Sequence, residues 1–156
     1  MDQAALVVIA KQTAERHGLD PVLICAIVEQ ESAWNTRAVR LENGFYHKYM
    51  VPMVEKGTVL ISDAVLRSAS FGLGQTMLES LREIGFAGTP EELTAPAIGL
   101  EWLCVLFQKK LDDAGGNIQA GLLHWNGGGN PSYPAEVLAR ESRYVQPADL
   151  SMQGDL

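Results

Sequence analysis

Apolar residues at Leu6, Val7, Ile9, Ala10 and Ala14 recur with the spacing of one helical face. They predict a first helix from Gln3 to His17, stopped at Gly18. A second follows at once. Asp20 can cap it, Pro21 suits its first position, and Val22 to Gln30 fill its turns. Its centre, "VLICAIV", is apolar all round, the mark of a helix buried in a domain. The pattern then lapses. Residues 32 to 62 carry Gly, Asn and the aromatics Phe45, Tyr46 and Tyr49 without a period, and read as loop with short helical pieces.

Periodicity returns in "SASFGLGQTMLESLREIG", which predicts a helix from about Gln75 to Ile84, ended by Gly85. Thr89-Pro90-Glu91-Glu92 opens another helical region with acids in its first turn. A long helix is predicted from Pro96 to Asp113, striped by Ile98, Leu100, Trp102, Leu103, Val105, Leu106 and Leu111. Asn117 can cap a short helix through Trp125, "NGGGNPSYP" is a loop, and a last helix is expected from Ala135 to Tyr144. Strand signals are nearly absent. The expectation is a mainly α single domain over 1–147, with a polar tail over 148–156.

Composition supports a packed domain: 156 residues, 47% hydrophobic, with a net charge of −7. That charge argues against a nucleic-acid partner, which would need a basic face. It would also oppose approach to an anionic cell surface except through local contacts. Cys25 and Cys104 sit in apolar runs and read as buried thiols, with a disulfide left open. No Cys/His cluster has metal-ligand spacing, so no metal and no cofactor are expected. Asp2 stands where a secretory leader carries basic residues, and no run reaches the roughly 18 apolar residues of a membrane span. Neither a signal peptide nor membrane insertion is expected, and the chain reads as a monomer.

Four places can carry chemistry. Glu31 closes the buried helix and, at about 100° per residue, shares a face with Ile27 and Ile24. An apolar surround and the helix C-terminus both disfavour its charged form, which suits a general acid. Glu29 points about 200° away, so the two acids do not form a pair on one face. The competing reading is an ordinary helix end reaching solvent. Gly72 and Gly74 allow close backbone approach before Gln75, whose amide can hold a sugar or a peptide. Trp125 and Asn126 stand before three glycines, an arrangement that also suits a sugar, or simply a core Trp and a turn Asn. Tyr144, alone, reads as core packing.

In order and company, "ESAWN", "SFGLGQTM", "HWNGGG" and "RYVQ" resemble the lytic transglycosylases with a soluble-lytic-transglycosylase, goose-lysozyme-like domain, over about residues 3 to 146. The resemblance implies a lysozyme-like fold. It also implies peptidoglycan glycan strands as partner and cleavage of the β-1,4 bond between N-acetylmuramic acid (MurNAc) and N-acetylglucosamine (GlcNAc). Glu31 maps to the single catalytic acid/base that forms 1,6-anhydro ends. Ser32 is expected to orient it or touch substrate. Gln75, Trp125 and Asn126 fall at substrate-positioning places, and Tyr144 matches a tyrosine that hydrogen-bonds near the acid.

This chain departs from the family pattern in three places. Gly74 replaces a bulky residue, often Met. Trp125 replaces a tyrosine and lacks its hydroxyl. Glu31 and Gln75 lie 44 positions apart, and the added "RLENGFYHKYMVPM" resembles an insertion in phage-associated relatives. That insertion brings Glu42, a candidate second carboxylate. With it in the cleft the enzyme would be a hydrolytic muramidase, lysozyme or endolysin. A non-catalytic glycan-binding or structural module is the alternative of a different class. The expected place of action is the bacterial cell wall, from the periplasm or a virion.

Overall fold

A computed structural model describes residues 1–145; the predicted tail over 148–156 lies outside them. Helix α1 spans Gln3–Arg16, with the Asp2 side chain accepting from the Ala5 N–H. Helix α2 spans Pro21–Ser32, capped by Asp20 through the N–H groups of Val22 and Leu23. A short strand β1, Val39–Leu41, follows. The stretch after it is helical in pieces: α3, Asn43–Phe45, a π-turn over Tyr46–Met50, α4, Val51–Glu55, and α5, Ile61–Arg67. Strands β2, Ala69–Phe71, and β3, Thr76–Met77, precede helix α6, Leu78–Glu83, and a 3₁₀ turn at Glu91–Thr94. The chain continues as α7, Pro96–Asp113, α8, Ile118–Trp125, α9, Tyr133–Leu138, and a 3₁₀ turn at Glu141–Arg143.

The domain is mainly α, as its apolar periodicity led us to expect. Helix α2 is its centre: Leu23, Ile24, Cys25, Ala26, Ile27 and Val28 are all buried. They pack with Leu6, Ala10 and Ala14 of α1, Leu100, Leu103, Cys104 and Phe107 of α7, and Leu122 of α8. Truncating such a side chain to Ala costs about 2–5 kcal/mol. A smaller core gathers Ala69, Phe71, Leu78, Leu81, Phe86 and Leu93 against Leu106 on another side of α7. Both cysteines are buried and free, which settles the pairing; burial pushes each thiol up to about 12.

Three elements differ from the sequence reading. The strands form an antiparallel sheet in the order β1-β2-β3, pairing Val39 with Phe71 and Ser70 with Met77. The predicted helix at Gln75 begins instead at Leu78, because Thr76 and Met77 are drawn into β3 and Gln75 sits at φ +47°. The last predicted helix breaks after Leu138 and resumes only as a 3₁₀ turn.

Gly72 and Gly74 do approach something closely, but it is the fold itself. Gly72, at φ +66°, lies so near the Leu93 carbonyl that a Cβ would collide with it. A Cβ at Gly74 would fall 2.5 Å from Leu103 Cδ1, so Leu103 fills the space that a side chain at this position would need.

Candidate active site

A cleft of about 470 Å³ runs between the helical core and the sheet. Glu31 of α2, Leu106 and Lys110 of α7, and Trp125 of α8 line one side. Glu42, Ser70, Gln75 and Thr76 belong to the sheet side. Helix α2 delivers Glu31 in its final turn, and the chain then turns sharply. Ala33 and Trp34 are both left-handed, at φ 47° and 66°, a conformation non-glycine residues adopt only when held there. What holds them is visible. The buried Trp34 indole donates to Tyr144 Oη at 2.8 Å, and that hydroxyl donates to Glu29.

Glu31 has two donors on one oxygen. Trp125 Nε1–H donates to Oε1 at 3.0 Å and Tyr133 Oη–H donates to the same atom at 2.5 Å. Oε2 has no partner among the described residues. A carboxylic acid so arranged uses Oε1 as its carbonyl oxygen and carries its proton on Oε2. Burial raises the Glu31 pKa above the ordinary carboxyl value; the bonds from Tyr133 and Trp125 pull it partly back. The Arg40 charge also lowers it, and the Glu42 charge raises it. The Tyr133 hydroxyl is itself pushed well up, by burial and by the neighbouring Glu31. It therefore stays protonated and can only donate to a charged Glu31.

Glu42 lies in the same cleft and repeats the one-oxygen pattern with different partners. Its Oε1 accepts from Arg40 Nε at 2.9 Å and from Ser70 Oγ at 2.9 Å. Gln75 donates both bonds of its amide nitrogen to backbone, to the carbonyls of Ala38 and Gly72 at 3.0 Å each. This pins the β2–β3 turn to the start of β1 and leaves the amide oxygen as its free acceptor. Asn126 Oδ1 accepts from the Asn130 N–H at 2.8 Å, and Asn130 Nδ2 donates to Glu136, which also accepts from Gln30 of α2. The glycine loop is thus tied back to the helix that carries Glu31.

Two expected site residues fall elsewhere. The Ser32 hydroxyl donates to the Val28 carbonyl at 3.1 Å, one turn back on its own helix, and Ser32 does not line the cleft. Tyr144 does not reach Glu31. It serves Glu29 on the other face of α2, where Arg143 also binds. Burial, and then the bond to Glu29, push the Tyr144 hydroxyl up to about 12, against the opposing bond from Trp34. The tyrosine on the acid is Tyr133, which motif reading missed because "NPSYP" carries only a turn signal. Its one clue was the proline after it: Pro134 in the first helical turn makes Tyr133 the first helical residue, beside the glycine loop. No group of three or more His, Cys, Asp or Glu able to hold a metal occurs among the described residues. No helix among them is long and apolar enough to cross a membrane.

A mainly helical domain with a half-buried carboxyl facing a polar cleft fits the lysozyme-like, glycan-cleaving class that the motifs resemble. The family model "Transglycosylase SLT domain" matches residues 8–141, and the chain belongs to that family. Its family-level function is therefore peptidoglycan-cleaving transglycosylase activity, directed at the cell wall. No curated protein and no solved structure matches it.

Proposed function

We propose that this domain is a lytic transglycosylase that cleaves the MurNAc–GlcNAc β-1,4 bond with Glu31 as its single acid/base, leaving 1,6-anhydro-MurNAc ends. The observation that carries this reading is the asymmetric Glu31 carboxyl, with Oε1 held by two neutral donors and Oε2 unpartnered. In the first step the Oε2 proton passes to the glycosidic oxygen, the bond to MurNAc C1 breaks, and GlcNAc leaves with its 4-hydroxyl restored. Trp125 and Tyr133 stabilise the carboxylate so formed. In the second step Oε2 takes the proton of the MurNAc C6 hydroxyl as its oxygen bonds to C1. The same atom gives and receives the proton, and no water is consumed. The free oxygen of Gln75 and the amide nitrogen of Asn126 are the groups we assign to holding the sugars in register.

One observation favours a second reading. Glu42 stands in the same cleft with one oxygen unpartnered, and a two-carboxylate hydrolysis would use it to direct a water or to oppose positive charge at C1. Digestion of purified peptidoglycan followed by mass spectrometry separates the two. Anhydro ends lack one water relative to reducing ends. The leading reading expects anhydro products, unchanged in kind by Glu42→Gln. Reducing ends that disappear with Glu42→Gln would replace it with the second.

A further inference from the structure

The cleft does not stop at the acid. Lys110, His124 and Gly127 line it and also line an adjoining depression of about 350 Å³, together with Asp113, Leu123 and Gly128. Lys110 lies one helical turn beyond Leu106 on the same face of α7, and His124 adjoins Trp125. These two side chains therefore form a ledge running off one end of the cleft. Its floor is bare backbone: a Cβ placed on Gly127 or Gly128 would meet nothing within 4 Å.

Neither Lys110 nor His124 has a hydrogen-bond or salt-bridge partner among the described residues, although Asp113 on the same depression feels the Lys110 charge through space. Arg40, the other cation of the cleft, is bound to Glu42. Lys110 makes no salt bridge among the described residues, in a chain whose net charge is −7. The nearby acids have their own partners: Asp113 pairs with Lys109 at 2.9 Å, and Asp112 accepts from Gln108 at 2.8 Å. An ammonium with three donors and an imidazole beside it, over an open floor, suit a carboxylate.

Resting on the reading above, we propose that Lys110 and His124 form a carboxylate-binding subsite for the acidic arm that MurNAc carries. A peptidoglycan strand offers such a group in two ways. The peptide stem bears free carboxylates. Where the stem is absent, the lactyl group ends in one. Either would occupy the ledge while the sugar rings lie along the cleft past Glu31, so the enzyme would read the muramic arm as well as the glycan backbone.

The test measures binding of soluble glycan oligomers to Glu31→Gln protein, so that cleavage does not intervene. One oligomer set keeps its peptide stems and the other has them removed by an amidase, which frees the lactyl carboxylate. Lys110→Met, combined with Glu31→Gln, is expected to weaken binding of one set about tenfold, the effect of losing one charge-assisted hydrogen bond. Lys110→Arg is expected to recover most of it. A loss confined to stem-bearing oligomers assigns the stem; a loss confined to stripped oligomers assigns the lactyl group. Unchanged binding of both, or an equal loss on both, overturns the subsite. Cleavage by the wild-type protein is assayed separately. Glycans bound through Lys110 but never cut would remove the catalytic reading and leave the subsite standing.

Discussion

At the scale of single residues, the design centres on how one carboxyl is held. Glu31→Gln keeps an oxygen for both Trp125 and Tyr133 but carries no proton to give. Activity on peptidoglycan is expected to fall by about 10²–10⁴-fold, the usual worth of a positioned acid/base. Stability should move the other way. Burial holds the native carboxyl above its unfolded value, so the native state binds the proton more tightly than the unfolded chain does. That contribution is complete below the unfolded value and is lost as pH rises through the native one. The wild-type melting temperature is therefore expected to fall relative to Glu31→Gln as pH rises through this window. Parallel melting curves from acid to neutral pH would contradict a raised native pKa.

Tyr133→Phe probes the same group from its partner. The hydroxyl favours the ionised form of Glu31, so its removal should raise the acid's pKa further. The expected signature is a lower kcat, by about tenfold for one lost bond to a charged group, with the alkaline fall in activity displaced to higher pH. A lower kcat with an unmoved profile would make Tyr133 merely structural. Glu31 was legible in the sequence because its helix is apolar for seven consecutive residues before the acids begin. Tyr133 was not, because its contact with Glu31 spans 102 positions and only the folded chain closes that distance.

At the scale of elements, the two faces of α2 divide the labour. One presents Glu31 to the cleft. The other presents Glu29 to Arg143 and Tyr144, clasping the segment that carries them against the turn at Ala33 and Trp34. Tyr144→Phe should therefore cost about 1–2 kcal/mol of stability, because the buried Trp34 N–H loses its acceptor. It should leave the pH dependence of cleavage in place. Thermal melts and pH profiles of the two Tyr→Phe variants distinguish clasp from cleft. Exchanged phenotypes would reverse the assignment.

Helices α1 and α7 could be read from the chain because each carries an apolar stripe at helical spacing, α2 because an apolar run follows the Asp20-Pro21 start, and α8 because Asn117 can cap it. The sheet could not. Its strands are three, three and two residues long; β1 is exposed throughout, and β2 is buried throughout. No alternation marks such segments, and tertiary contact alone makes them strands. Gly72 is the checkable element here. Gly72→Ala forces a methyl against the Leu93 carbonyl at a positive φ and should cost about 2–4 kcal/mol. A melting temperature equal to wild type would show that the turn is not the constraint it appears on geometry.

At the scale of the whole molecule, a chain of net charge −7 is set to act on a wall polymer that is itself rich in carboxylates. The two signs of interaction act at different ranges. Repulsion between the bodies is long-range, and at about 0.01 M salt the Debye length is roughly 30 Å, long enough for the full charge to be felt. At physiological ionic strength it shrinks to about 8 Å. Repulsion on approach is then screened, while a direct Lys110 contact inside the cleft is screened much less. Near 1 M salt the length is about 3 Å, and contact attraction weakens too. The rate of wall digestion at low substrate is therefore expected to rise from low to physiological salt and to decline again at high salt. Purified sacculi titrated with NaCl at fixed pH provide the measurement. Lys110→Met should flatten the decline and spare the rise, because only the decline belongs to the local contact. A monotonic fall from the lowest salt would mean that attraction governs approach at every range, and the acidic surface would then have no part in how this domain meets its substrate.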